Sequence, residues 1–201
     1  MAGPGVFSGY VSGSPDAPFV EPGWVNSGDL GRIDSHGYLW ITGRAKDLII
    51  RGGHNIDPLG VEEVLYDHPA VEVAALVGEP DAYAGELPVA YVQLKAGARA
   101  DAAELLQWVA SHTPERAAVP VQVYIVDTVP LTAVGKVFKP TLRIDAAERA
   151  VRRLIAPILQ AQGCTATVKV GPHPQHGNFL SVRVEGPAAA REKSMADIQV
   201  K

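Results

Sequence analysis

Apolar positions change their period several times along this 201-residue chain, and the changes mark out its elements. Residues 1–45 show little regular alternation and many Gly, Pro and Ser residues, with "YLWIT" (38–42) as the clearest extended piece. This part reads as strand-poor and dependent on other structure. "RAKDLIIRGGHNI" (44–56) reads as two short strands around Arg51-Gly52-Gly53, where paired glycines permit positive φ. After Pro58, suited to a first helical turn, Val61, Val64 and Leu65 recur at helical spacing as far as the "DHP" stop. "VEVAALVG" (71–78) and "LPVAYVQLKAG" (87–97) follow as strands joined by "EPDAYAGE". "DAAELLQWVASH" (101–112) is a helix with Asp101 as N-cap, and "VQVYIVD" (121–127) is a third strand. Residues 145–161 repeat apolar positions at helical spacing around a kinking Pro157, "TATVKV" (165–170) and "FLSVRV" (179–184) alternate as two further strands, and the last dozen residues read as a loose tail.

The order hairpin, helix, strand, strand, helix, strand predicts an α+β fold. It comprises a small three-stranded sheet with flanking helices plus a two-stranded hairpin, followed by a C-terminal helix and hairpin extension. A hydrophobic content of 47% supports a real core. The net charge of -4 gives no basic field for nucleic acid. The apolar runs are far shorter than the roughly 20 residues of a spanning helix, so no membrane span is expected. One cysteine, Cys164, excludes an internal disulfide and makes a cytoplasmic location the expectation.

Charged residues in turns carry the candidate chemistry. Asp29 in "SGDLG" can accept two hydrogen bonds from vicinal hydroxyls, against an ordinary Asx-turn. Arg44 in "TGRAKD" can serve ribose or phosphate oxygens, against a surface ion pair. Lys46 alone reads as a solvated lysine. Gly52 and Gly53 read as a tight turn, and such a turn can also line a channel. In "PLTAVGKVFKPTLR" (130–143), Lys136 follows Gly135 in a loop, with Lys139 and Arg143 close behind. His173 and His176, on a Pro/Gly-rich loop without Cys or carboxylate neighbours, do not make a metal site.

"GWVNSGDLGRIDSHGYLWITGRAKDLIIRGGHNIDP" and "PLTAVGKVFKPTLR", with a helix and two strands between them, resemble the carboxyl-terminal part of the adenylate-forming enzymes, especially the acyl-CoA synthetases. The resemblance covers about residues 1–145. It implies an enzyme that activates a carboxylic acid with ATP and Mg2+ to an acyl-adenylate, then rotates a small lid domain so that CoA displaces AMP. On that resemblance, Asp29 and Arg44 bind the nucleotide, Lys46 is the hinge, Gly52 and Gly53 line the pantetheine tunnel, and Lys136 is catalytic. Residues 1–45 would be the end of the large nucleotide-binding body, 46–145 the lid, and 146–201 an extension of no assigned role.

The chain departs from the family pattern in places. Gly60 stands where the family's Pro-x-Glu-Ile-Glu helix has its first glutamate. The phosphate-cradling Ser/Thr/Gly loop and the magnesium-holding Tyr-x-x-Thr-Glu segment are not in this sequence, and both belong to the amino-terminal body. The expectation is therefore a fragment or one half of a split enzyme, inactive by itself, whose partner is that body. Two alternatives stand beside the ligase: the lid of a peptide-synthetase adenylation domain serving a carrier protein, and a non-catalytic module that retains only the lid fold. The carboxylic acid is not legible, because the family's acid pocket lies in the body.

Overall fold

The computed structural model describes residues 2–9, 19–173 and 177–199. His176, one half of the histidine pair noted above, lies outside them. The chain divides into two compact units, Met1–Leu48 and Ile49–Lys201.

The first unit contains more strand than its sequence suggests. β1 (Phe19–Glu21) pairs with β2 (Trp24–Val25), and β3 (Asp29–Ile33) pairs antiparallel with β4 (Leu39–Arg44). The connection between β3 and β4 is organised by Asp34. Its carboxylate accepts the Trp40 indole N–H at 2.8 Å and the backbone N–H groups of His36 and Tyr38. Those bonds, the Trp40 one foremost, hold the Asp34 carboxyl below the ordinary aspartate range. Among its described residues none is buried, and Ile33, Leu39, Trp40 and Ile41 are all more than half exposed.

The second unit is built on a five-stranded sheet. β5 (Ile49–Arg51) and β6 (His54–Ile56) form the expected hairpin, and β7 (Val71–Asp81) and β8 (Gly85–Leu94) form a long antiparallel pair. β9 (Gln122–Ile125) runs parallel to β8. The hairpin is not a separate sheet: Arg51 pairs with Gly85, Gly52 N–H donates to Ala84 O at 2.7 Å, and Ile50 N–H donates to Glu86 Oε2 at 2.9 Å. These three links join it to the start of β8.

Helices cover both faces of this sheet. α1 (Pro58–Tyr66) begins at Asp57, whose carboxylate accepts the Leu59 N–H, and α2 (Ala102–His112) begins at Asp101, which accepts the Glu104 N–H. Gly60 is exposed and does not interrupt α1. Val61, Leu65, Leu105 and Val109 pack with Ala74, Leu76, Ala90 and Val92. The alternate residues Ala75, Val77, Val89 and Tyr91 pack on the opposite face with Leu142 and Ala146 of α3 (Lys139–Gln162). Burial on both faces is why "VAALV" reads as one continuous apolar run rather than an alternation.

α3 is 24 residues long and starts six residues before the sequence pattern announces it. Pro140 sits in its first turn, where the missing N–H costs nothing, and Pro157 lies inside it. β10 (Thr165–His173) and β11 (Gly177–Glu185) form the second hairpin, and α4 (Ala188–Gln199) replaces the expected loose tail. Ile155, Leu159, Cys164, Val168 and Val184 make a small separate core there. No helix among the described residues is long and apolar enough to cross a membrane.

A polar ladder fastens α3 to the sheet. Asp145, Arg149 and Arg153 lie four residues apart on one face of the helix. Tyr91 donates to Asp145 Oδ2 at 2.7 Å, the Arg149 guanidinium lies 4.4 Å from the Tyr124 ring centre, and Arg153 pairs with Glu79. Tyr124 links the last two: it accepts from Arg153 Nη1 and donates to Glu79 Oε2. Burial, then the hydrogen bond to Asp145 and its charge, push the Tyr91 phenol well above the ordinary tyrosine range. Burial and the Glu79 charge push Tyr124 up as well. Both phenols hold their protons in the fold at pH values where the unfolded chain releases them, above roughly pH 10. The unfolded state then binds fewer protons than the native one, so stability falls as pH rises through that range. In an alkaline titration followed by phenolate absorbance, Tyr91 is expected to ionise only with unfolding and Tyr124 later than an exposed tyrosine, and Tyr91→Phe removes one late proton. Ionisation of every tyrosine near pH 10 with unchanged circular dichroism contradicts this.

Candidate active site

Lys136 is presented by a short hydrogen-bonded loop between β9 and α3. Leu131 and Val137 face each other in an antiparallel bridge, and Phe138 N–H donates to Pro130 O at 2.8 Å. Inside that bridge Gly135 N–H donates to Thr132 O at 2.9 Å, and Thr132 N–H donates to Lys136 O at 2.7 Å. Gly135 has φ 77°, which a side chain would strain, so the chain can reverse there. Lys136 is exposed, and its ammonium has no partner among the described residues.

Both ends of the loop are anchored in the second unit. On the β9 side, Val129 N–H donates to Gln93 Oε1 at 2.9 Å. On the α3 side, the Lys139 ammonium pairs with Glu62 Oε1 at 2.8 Å, with only 15% and 13% of the two side chains exposed. A cation in the first turn of a helix meets the positive end of the macrodipole, and the Glu62 carboxylate offsets both. The same Glu62 oxygen accepts the Leu76 N–H of β7 at 2.7 Å. Lys139 is thus tied into the fold, three residues from a lysine that is not.

Gly52 and Gly53 form the β5–β6 turn with φ 55° and 87°, both exposed, and a Cβ at either would meet no atom within 4 Å. Backbone conformation, not crowding, demands glycine there. The turn rests on Ala84, at the β7–β8 connection. Gln93, which anchors the Lys136 loop, lies near the far end of β8 opposite Val73. The two loops are therefore fixed to different parts of the sheet.

Asp29 and Arg44 belong to the first unit. They are directly opposed residues of β3 and β4, and Arg44 Nε lies 3.2 Å from Asp29 Oδ1. The Asx-turn at this place is made by Asn26, whose Oδ1 accepts the Gly28 N–H at 2.8 Å, so the Asp29 carboxylate is not used for it. Both side chains remain partly exposed, at 27% and 54%. A carboxylate and a guanidinium side by side offer acceptors and donors to one vicinal diol. Lys46 is exposed in the single helical turn Ala45–Asp47, two residues before the unit ends at Leu48.

Residues 60–136 match the AMP-binding enzyme C-terminal domain. The chain is 48% identical over 199 residues to a marinolic acid–CoA ligase of Pseudoalteromonas sp. (strain SANK 73390), covering 98% of this chain and 29% of the ligase. The chain belongs to the adenylate-forming enzymes. Among solved structures, ATP-bound MatB from Rhodopseudomonas palustris superposes with a TM-score of 0.64 at 37% identity, covering 70% of this chain and 28% of that one. o-Succinylbenzoate CoA synthetase (MenE) from Bacillus subtilis, in complex with the acyl-adenylate intermediate OSB-AMP, gives a TM-score of 0.64 at 34% identity over 71% and 29%. The chain therefore spans under a third of the length of these relatives. The marinolic acid–CoA ligase match runs into residues 146–201 as well, so that part is shared with a relative of this family.

Two residues around Lys136 escape a reading by motif. Glu62 is one of two adjacent glutamates on α1, and nothing in the sequence tells which one faces Lys139. Thr132 stands four residues before Lys136, and only the closed loop brings the two together.

Proposed function

We propose that this chain is the C-terminal part of an ATP-dependent acid:CoA ligase, which activates a carboxylic acid as acyl-AMP and transfers the acyl group to CoA. The observation that carries the reading is Lys136, an ammonium with no partner among the described residues, on a fixed loop inside an AMP-binding enzyme C-terminal domain. In the first half-reaction a carboxylate oxygen of the acid attacks the α-phosphorus of ATP, and pyrophosphate leaves. Lys136 holds the two anions together and offsets charge on the phosphoryl oxygens. Asp29 and Arg44 hold the ribose. In the second half-reaction the CoA thiol attacks the acyl carbon and AMP leaves, with Gly52 and Gly53 leaving room for the pantetheine. Lys46 is the hinge between the two arrangements. That the glycine turn and the Lys136 loop are anchored to different parts of the sheet supports such a reorientation.

The lack of any buried residue among the described part of the first unit, together with its exposed Trp40, Leu39 and Ile41, supports an N-terminal AMP-binding body as its partner. We assign the magnesium ligands to that body, since no three His, Cys, Asp or Glu side chains gather among the described residues. Magnesium supplies charge neutralisation of the triphosphate when bound. We assign the enzyme to the cytoplasm, a reading that its proposed substrates and a single cysteine, Cys164, support.

The test is acid-dependent ATP–pyrophosphate exchange. The 201-residue chain alone is expected to give none, and a separately produced AMP-binding body is expected to restore it. Exchange by the chain alone overturns the assignment of phosphate and magnesium binding to the body.

A further inference from the structure

The loop that carries Lys136 closes on one residue. Thr132 takes part in three hydrogen bonds across it: its N–H donates to Lys136 O, its carbonyl accepts the Gly135 N–H, and its Oγ1 accepts the Lys136 N–H at 3.1 Å. The peptide groups on both sides of the Lys136 Cα are therefore bonded to the same residue. A backbone N–H alone can reach one acceptor, and Oγ1 is the one that this turn offers to Lys136. Ala133 and Val134, at the tip, take no part in these hydrogen bonds, and Val134 is 78% exposed.

We infer that Thr132 is the positioning residue for Lys136, acting through its hydroxyl. This rests on the catalytic role proposed for Lys136. A lysine side chain has four rotatable bonds, so its reach is useful only if its Cα starts from a fixed place and direction. The anchors at Gln93 and Glu62 fix where the loop leaves and rejoins the fold. Thr132 fixes the orientation of the one residue between them that bears the free ammonium. Valine at this position keeps the branched shape and the backbone bonds but leaves the Lys136 N–H without its acceptor. The N–H then bonds water, and the loop gains conformations in which the ammonium misses the reacting oxygens.

The experiment compares Thr132→Val and Thr132→Ser in the chain assembled with its AMP-binding body, measuring the two half-reactions separately. Thr132→Val is expected to lower kcat for acyl-adenylate formation by about tenfold, the order of one lost hydrogen bond, with little change in the KM for ATP. Thr132→Ser, which restores the oxygen, is expected to recover most of that loss. CoA-ester formation from supplied acyl-adenylate is expected to match the parent in both, because a general loss of folding would lower both half-reactions. In the 201-residue chain, the Lys136 amide is expected to exchange with deuterium faster in Thr132→Val and at the parental rate in Thr132→Ser. Equal losses in both half-reactions, or full adenylation by Thr132→Val, overturn the inference. Lys136→Ala run alongside separates the two readings: if it leaves adenylation intact, the catalytic assignment itself has failed.

Discussion

Lys136→Ala lowers acid-dependent ATP–pyrophosphate exchange by about a hundredfold or more in the assembled enzyme, the scale of removing one charged donor from a transition state. Formation of the CoA ester from supplied acyl-adenylate survives. The asymmetry follows from where charge develops. In adenylation a carboxylate meets the α-phosphate, and two anions must be brought to bonding distance while negative charge grows on the phosphoryl oxygens. In thioester formation the acyl group is already a neutral mixed anhydride at its carbonyl, and Lys136 has no second anion to hold there. Lys139 supplies the contrast, because its ammonium is already engaged by Glu62. Lys139→Ala leaves that carboxylate without its cation and shows itself first as a lower unfolding temperature. Exchange that persists in Lys136→Ala, or that disappears only in Lys139→Ala while the protein stays folded, removes Lys136 from the chemistry.

The second large effect is on stability. Glu79 is 2% exposed, and its carboxylate oxygens are taken by Arg153 and by the Tyr124 hydroxyl. Arg153→Ala leaves a buried carboxylate with the tyrosine alone. Removing one partner of a buried pair costs about 3–5 kcal/mol. Because Arg153 is itself half exposed and Tyr124 remains, about 2–3 kcal/mol is the expected loss. Glu79→Gln removes the charge and keeps much of the shape, so the double variant is expected to be more stable than Arg153→Ala alone. Urea unfolding followed by far-ultraviolet circular dichroism reads this, since the four helices α1 to α4 all lie in the second unit. Additive losses in the double variant would mean that the two residues act independently.

Much of the second unit is legible in its sequence, for identifiable reasons. α1 and α2 have capping aspartates and apolar residues at helical spacing, and β7 and β8 are long enough to declare themselves. α4 is not legible by pattern, because the face it buries is Ala190, Ser194 and Ile198, too small and polar to stand out from its charged neighbours. Its content of Ala, Arg, Glu, Lys and Met was the available signal. The start of α3 was masked by Pro140, which reads as a break in the pattern although the first turn of a helix accommodates it. β3 was hidden because Asp29–Ile33 contains a glycine and packs no continuous apolar face. Candidate site residues were legible where they stand next to glycines in turns, as Asp29, Gly52, Gly53 and Lys136 do. That Asp29 and Arg44 form a pair is a matter of strand register, which fourteen intervening residues conceal.

The single helix α3 has a mechanical consequence. Its first residue pairs with Glu62 beside the Lys136 loop, and its last turn packs in the small core of the C-terminal hairpin. Twenty-four residues at 1.5 Å each make an arm of about 36 Å. Because the ladder fastens it to the sheet, an arm of that length turns with the sheet as one body: a rotation of 10° about the Lys136 end carries its far end through about 6 Å. A fluorophore on β10 or β11 would therefore register small angular movements of the Lys136 end as large displacements, and a partner gripping that hairpin would apply its force to the loop with the same leverage.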